Sequence, residues 1–120
     1  MKKAIIMIDH GSKRRESHLD LIEWQKGVQA LISDVSVKIA HMEIAEPSLK
    51  STVQECIAEG IFDLSVVPLF LGRGKHLQED IPALIAECQN EFPEVKMVQK
   101  NALFGHEYLN QIIIARFLEK

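Results

Sequence analysis

Two histidines carry the strongest chemical suggestion in this 120-residue chain. His10 stands in Ile-Asp-His-Gly-Ser (8–12) and His76 closes Leu-Phe-Leu-Gly-Arg-Gly-Lys-His (69–76), each just past an apolar run. Neighbouring parallel strands would deliver both imidazoles to one edge of a sheet. Neutral imidazole suits a divalent first-row metal such as Fe, Co or Ni, and a carboxylate completes charge and geometry. Glu43, at the end of another strand-like segment, is the candidate carboxylate. Two histidines and one glutamate leave positions open for water or substrate, which chemistry on a metal requires. By spacing alone the pair is a weak signal, because loop histidines far apart in sequence are more often unremarkable than ligating.

The surrounding charge adds a direction. Lys13, Arg14 and Arg15 follow the first histidine and Arg73 and Lys75 precede the second, although the formal net charge is −3. That balance argues against general nucleic-acid binding, while the local cations fit a small, strongly anionic ligand. His18 and His106 read as exposed or loop positions without a partner. His41 lies two residues before Glu43, on the same strand face, and reads as a partly buried strand histidine able to support the site. Gly11-Ser12 after a strand invites a phosphate-loop reading, but the chain has no GxGxxG or GxxxxGK[ST], and Ser12 lacks the G-x-S-x-G nucleophile elbow. Cys56 and Cys88 sit among apolar residues in no CxxC spacing and read as buried thiols.

The elements that must position these groups follow from apolar periodicity. Ala4 to Ile8 is a buried strand closed by a tight turn. Leu21, Trp24, Val28, Leu31 and Ile32 form one stripe on a helix from about Arg15 to Ser33. Val35 to Ile44 reads as a second strand, and Glu46-Pro47-Ser48 starts a helix that Gly60 ends. Leu64 to Leu71 is a central third strand in which Pro68 loosens the pairing. Gly72 to Glu79 has the composition of a functional loop feeding a further helix. Val95 to Val98 is a short fourth strand, and Glu107 to Leu118 a last helix whose Ile112-Ile113-Ile114 is apolar around too wide an arc for one that covers only its own sheet. The alternation predicts a three-layer α/β fold: one domain over 1–120, with a four-stranded parallel sheet and helices on both faces. Ligands of such sheets sit beyond the carboxyl ends of the strands, where His10, Glu43 and His76 fall. With 47% hydrophobic residues, no apolar stretch near the ~20 residues that span a bilayer, and no cleavage site after Met1-Lys2-Lys3, the expectation is a cytoplasmic protein without a membrane partner.

Three segments resemble the small class II tetrapyrrole chelatases, above all the sirohydrochlorin chelatase family in its short cobalt-inserting and its siroheme, iron-inserting forms. They are Ile-Asp-His-Gly-Ser-Lys-Arg-Arg-Glu-Ser (8–17), Ala-His-Met-Glu-Ile-Ala-Glu-Pro-Ser-Leu-Lys (40–50) and Val-Val-Pro-Leu-Phe-Leu-Gly-Arg-Gly-Lys-His-Leu-Gln-Glu-Asp-Ile-Pro (66–82). Asp9 stands where Gly is commoner, Arg73-Gly74-Lys75 replaces a Pro-Gly-Gly or Pro-Gly-Arg turn, and the tail from Asn101 has Leu-Phe-Gly-His in place of Pro-Leu-Gly. The resemblance implies a chelatase-like, flavodoxin-related fold and insertion of Fe²⁺ or Co²⁺ into sirohydrochlorin, for siroheme or cobalamin. It places His10 and His76 at the metal-histidine positions and Glu43 at an acidic position near the site. Either a histidine or Glu43 would take up the pyrrole protons. Ser12, Lys13, Arg14, Arg15, Arg73 and Lys75 become candidate contacts for the carboxylate-rich macrocycle. The metal is substrate, and no permanent cofactor is implied. Longer relatives carry two such units in tandem, so a homodimer is expected, through the Ile112–Ile114 helix or the helix starting near Leu77. Three other readings compete: a nickel chelatase on a related tetrapyrrole, a non-catalytic metal or tetrapyrrole carrier, and a flavodoxin-like signalling or nucleotide module.

Overall fold

The computed structural model describes residues 2–120. Its elements run β1 (Lys3–Asp9), α1 (Arg15–Gln29), β2 (Val35–His41), α2 (Leu49–Ala58), β3 (Asp63–Pro68), a π-helical turn (His76–Asp80), α3 (Ile81–Glu91), β4 (Lys96–Gln99) and α4 (Glu107–Leu118). The four strands pair in parallel in the order β2-β1-β3-β4, so β1 and β3 are the interior strands, in keeping with the mainly apolar Ala4–Ile8 and Leu64–Pro68.

Alternation along the strands divides the core into two. Ala4, Ile6 and Ile8 of β1 pack with Leu64 and Val66 of β3 against Val53 and Cys56 of α2 and Ile81 and Cys88 of α3. Met7 packs with Val37 and Ile39 of β2 against Leu21 of α1 on the opposite face. Helices on both faces give the expected three layers. Cys56 and Cys88 are free, buried thiols. Burial pushes Cys56 up to about 11 and moves Cys88 in the same direction. Among the described residues, no helix is long and apolar enough to cross a membrane.

Several boundaries differ from the sequence expectation for identifiable reasons. Helix α1 stops at Gln29, short of Ser33, because the Gln29 amide turns back to the edge strand: it donates to the Val35 carbonyl (2.9 Å) and accepts from the Val37 N–H (2.8 Å). Leu31, assigned to the helix stripe, is consequently 89% exposed, and Trp24 is exposed as well. Strand β2 ends at His41, not Ile44, since the chain reverses through Ile44 at φ 77°. Helix α2 begins after Ser48, whose hydroxyl caps the Ser51 N–H at 3.1 Å, which leaves Pro47 outside the helix. Strand β3 terminates at Pro68, which has no N–H to continue the ladder, so Phe70 and Leu71 belong to the following loop. The largest departure is α4. Among the described residues it packs substantially against no other element, and Ile112, Ile113 and Ile114 are all exposed.

Candidate active site

The site is built at the carboxyl edge of the two central strands. His10 follows the last residue of β1, and the chain after β3 returns His76 beside it: their ring centroids are 4.0 Å apart at an interplanar angle of 80°. Phe70, just past β3, has its ring centroid 5.3 Å from that of His10 and gives this ring an apolar neighbour.

Each histidine is held by its neighbours. His76 opens the π-helical turn, which brings Asp80 under its ring, with 2.7 Å between Nδ1 and the Asp80 carboxylate. A carboxylate only accepts, so neutral His76 carries its proton on Nδ1 and leaves the Nε2 lone pair for a metal ion. The His10 loop is held through its backbone. Met42 N–H donates to the Asp9 carbonyl (2.8 Å) and Glu43 N–H to the His10 carbonyl (3.2 Å). Gly11 makes this approach possible. Its φ is +93°, and a Cβ there would fall 1.8 Å from the Glu43 carbonyl oxygen.

Beneath this loop runs a second chain of polar groups that sequence reasoning missed. His41, 1% exposed, donates from Nδ1 to Asp9 Oδ1 at 2.6 Å, and the same oxygen accepts the Gly11 N–H at 3.0 Å. In its neutral form His41 then accepts at Nε2 from His18 Nδ1, 2.9 Å away. His18 is therefore a paired helix residue, not a loop position without a partner. His41 is buried, not partly buried. The sequence signal was the odd parity of Asp9 and His41 on paired strands, where they face each other in register.

Glu43 does not share the His41 face. Because the chain turns after His41, Glu43 is exposed and lines a concavity of about 340 Å³ with Asp80, Leu84 and Glu87 on the α3 side. It joins the histidine pair through its backbone and through this shared rim. Among the described residues, no group of three or more His, Cys, Asp or Glu side chains is arranged to hold a metal ion, so the donors brought together are the two imidazoles.

The other candidate contacts surround the pair. Ser12 Oγ accepts the Arg14 N–H (3.1 Å) and so shapes the turn into α1. Lys13, Arg14, Arg15, Arg73 and Lys75 are exposed. Arg14 lies 3.9 Å from Glu16 and Lys75 4.0 Å from Asp80, and such exposed contacts are too weak to withdraw these charges from a ligand. His106 sits at the start of α4, where its Nδ1 accepts the Tyr108 N–H (3.1 Å).

Comparison with known proteins places the chain in a family. The CbiX family model matches residues 4–120. The chain belongs to the CbiX family. Against the chloroplastic sirohydrochlorin ferrochelatase of Arabidopsis thaliana, this CbiX-family chain is 38% identical over 110 residues, covering 92% of its own length and 49% of the relative's. The crystal structure of the sirohydrochlorin chelatase SirB from Bacillus subtilis subspecies spizizenii, in complex with cobalt, superposes with a TM-score of 0.88 at 26% identity, over 98% of this chain and 50% of that one. A putative cobalamin biosynthesis CbiX protein from Marinobacter aquaeolei VT8 superposes at 0.84 with 30% identity, and there 96% of this CbiX chain meets 93% of the other. The chain thus spans about half the length of the first two proteins and nearly all of the third.

Proposed function

We propose that this chain is a cytoplasmic sirohydrochlorin chelatase that inserts Fe²⁺ or Co²⁺ into sirohydrochlorin, in siroheme or cobalamin formation. The observation that carries the reading is the His10–His76 pair at the sheet edge, with the His76 tautomer fixed by Asp80. Two imidazole nitrogens hold a divalent ion more weakly than the three or four ligands of a resident metal site. That suits an ion which must be passed on. Relatives with names for both iron and cobalt insertion match, and imidazole accepts either metal, and nickel too.

In this reading the ion enters as substrate, held by His10 and His76 on one face of the macrocycle. Its remaining positions carry water, which the pyrrole nitrogens displace one by one. Two pyrrole N–H protons must leave as the metal–nitrogen bonds form. His10 is a candidate acceptor once the metal moves into the ring, since no side chain occupies its nitrogens among the described residues. Glu43, exposed on the neighbouring rim, is the alternative. The cations Lys13, Arg14, Arg15, Arg73 and Lys75 and the Ser12 turn meet the carboxylates of the tetrapyrrole. A single unit presents a ledge, and a second copy of the chain supplies the opposing wall that relatives of twice the length have room to carry.

The test is an anaerobic insertion assay with purified protein, excess sirohydrochlorin, and Fe²⁺, Co²⁺ and Ni²⁺ in turn. Multiple turnovers are expected, with His10→Ala and His76→Ala each lowering the rate by at least roughly 100-fold while the fold persists. Stoichiometric uptake without turnover would instead identify a carrier, and full activity in both alanine variants would sink the assignment of the pair.

A further inference from the structure

A cleft of about 430 Å³ opens on the side of the histidine pair where the chain continues into Leu77, and of its lining only Arg73 has a part in the chelation reading above. Arg73, Leu77, Asn101, Phe104 and His106 line it, so it begins one residue along the chain from His76. The same residues join it to the reaction centre: Phe104 N–H donates to the Phe70 carbonyl at 3.0 Å, and Phe70 is the apolar neighbour of the His10 ring.

The polar groups of this cleft are all able to donate. The Arg73 guanidinium carbon lies 5.3 Å from the centroid of the Phe104 ring, a cation–π contact that holds its plane, and no carboxylate pairs with it among the described residues. His106 accepts the Tyr108 N–H through Nδ1, so its neutral ring carries the proton on Nε2, a donor. Asn101 adds an amide, and the twelve-residue helix α4 starts immediately after His106, with its positive end toward this side. Among the described residues, no acidic side chain lines the cleft. Leu77 and the Phe104 ring supply apolar surface between the donors. Donors around an apolar floor match a carboxylate on a short aliphatic arm. The volume is at the low end for small-molecule pockets, which fits an arm and the ring edge bearing it, not a whole macrocycle.

We propose that this cleft seats one carboxylate-bearing arm of the anionic tetrapyrrole, with Arg73 and His106 binding the carboxylate and Phe104 positioning Arg73. The inference rests on the sirohydrochlorin reading and deepens it. One anchored arm beside His76 fixes how the macrocycle is turned over the histidine pair.

Binding without metal separates the two ideas. Sirohydrochlorin is titrated into purified chain and followed by its absorbance, in wild type, Arg73→Gln, His106→Gln and Phe104→Leu, at low and high salt. Arg73→Gln should weaken binding about tenfold, and His106→Gln and Phe104→Leu several-fold, as expected for charge-assisted bonds. The salt dependence should flatten in Arg73→Gln and stay steep in Phe104→Leu, which keeps the cation. Arg73 and His106 are exposed, so their loss leaves the core untouched, and the thermal transition of each variant confirms its fold. Wild-type affinity and salt dependence in all three variants would overturn the subsite and leave the chelatase reading standing. A wild type that does not bind sirohydrochlorin overturns both.

Discussion

His10 and His76 are unequally supported, and the difference has chemical consequences. The His76 ring is fixed by one short hydrogen bond that its Nδ1–H donates to Asp80, whereas the His10 ring is placed by its backbone, through Gly11 and the Asp9–His41–His18 chain beneath. A carboxylate on the distal nitrogen of a metal-binding histidine orients the ring and makes the other nitrogen more basic, and losing it typically costs about 10- to 100-fold in metal affinity or activity. Asp80→Asn keeps the shape and removes the charge. If the chain is the chelatase proposed above, insertion should fall by roughly that factor, with a matching rise in the metal concentration needed for half-maximal rate and no change in sirohydrochlorin affinity. A rate within twofold of wild type would mean that Asp80 serves only the π-helical turn. Of this arrangement the sequence revealed the two histidines and the nearby cations. Asp80 was hidden because an i, i+4 pair on a helix face is ordinary, and only the local π turn at His76 makes it a support for the site.

Strand and helix positions were legible because their apolar periods are strong, while their ends were set by single polar side chains. Gln29 stopping α1, Ser48 starting α2 and Pro68 closing β3 are decisions of that kind. The turn of the chain after His41 sent Glu43 to the other face, which no period-two pattern could reveal. Gly11 is where two such segments meet. Alanine there suffers both the left-handed backbone and a collision with the Glu43 carbonyl, so Gly11→Ala should lose more than about 2 kcal/mol in urea denaturation, together with the proposed insertion activity. Near-wild-type stability would show that the Glu43 loop yields easily. The buried helix thiol gives a second handle. Burial raises Cys56 from 9.0 to about 11, so the unfolded chain releases this proton first. Its contribution is complete below pH 9 and is lost as pH rises toward 11, on the order of 2 kcal/mol. Denaturation midpoints of wild type should therefore fall across that window, and Cys56→Ala should flatten the decline whatever its stability at pH 7.

At the scale of the whole molecule, α4 is the element that a lone chain does not explain. The molecule measures 49 × 33 × 28 Å with a radius of gyration of 14.8 Å, larger than the roughly 13.6 Å typical of a compact chain this long. The excess fits a helix about 18 Å long that projects from the sheet. Along it Ile112, Ile113, Ile114, Phe117 and Leu118 are 48, 68, 58, 80 and 70% exposed. The breadth of this apolar arc was visible in the sequence. That α4 leaves its own sheet uncovered was not, because an apolar pattern does not say whose core it joins. Burying these side chains against a second copy is worth on the order of 1 to 2 kcal/mol each, and ten of them in a pair offset an association cost of about 4 to 15 kcal/mol. Sedimentation of the wild type should therefore give twice the chain mass at micromolar concentration. Ile113→Glu combined with Phe117→Glu should give a monomer with unchanged circular dichroism, because α4 contributes little to the core of its own chain. If the second copy forms the opposing wall of the ledge, that monomer also loses sirohydrochlorin affinity while His10 and His76 stay in place. A wild type that sediments as a monomer, or a double variant that stays dimeric, would move the interface away from α4.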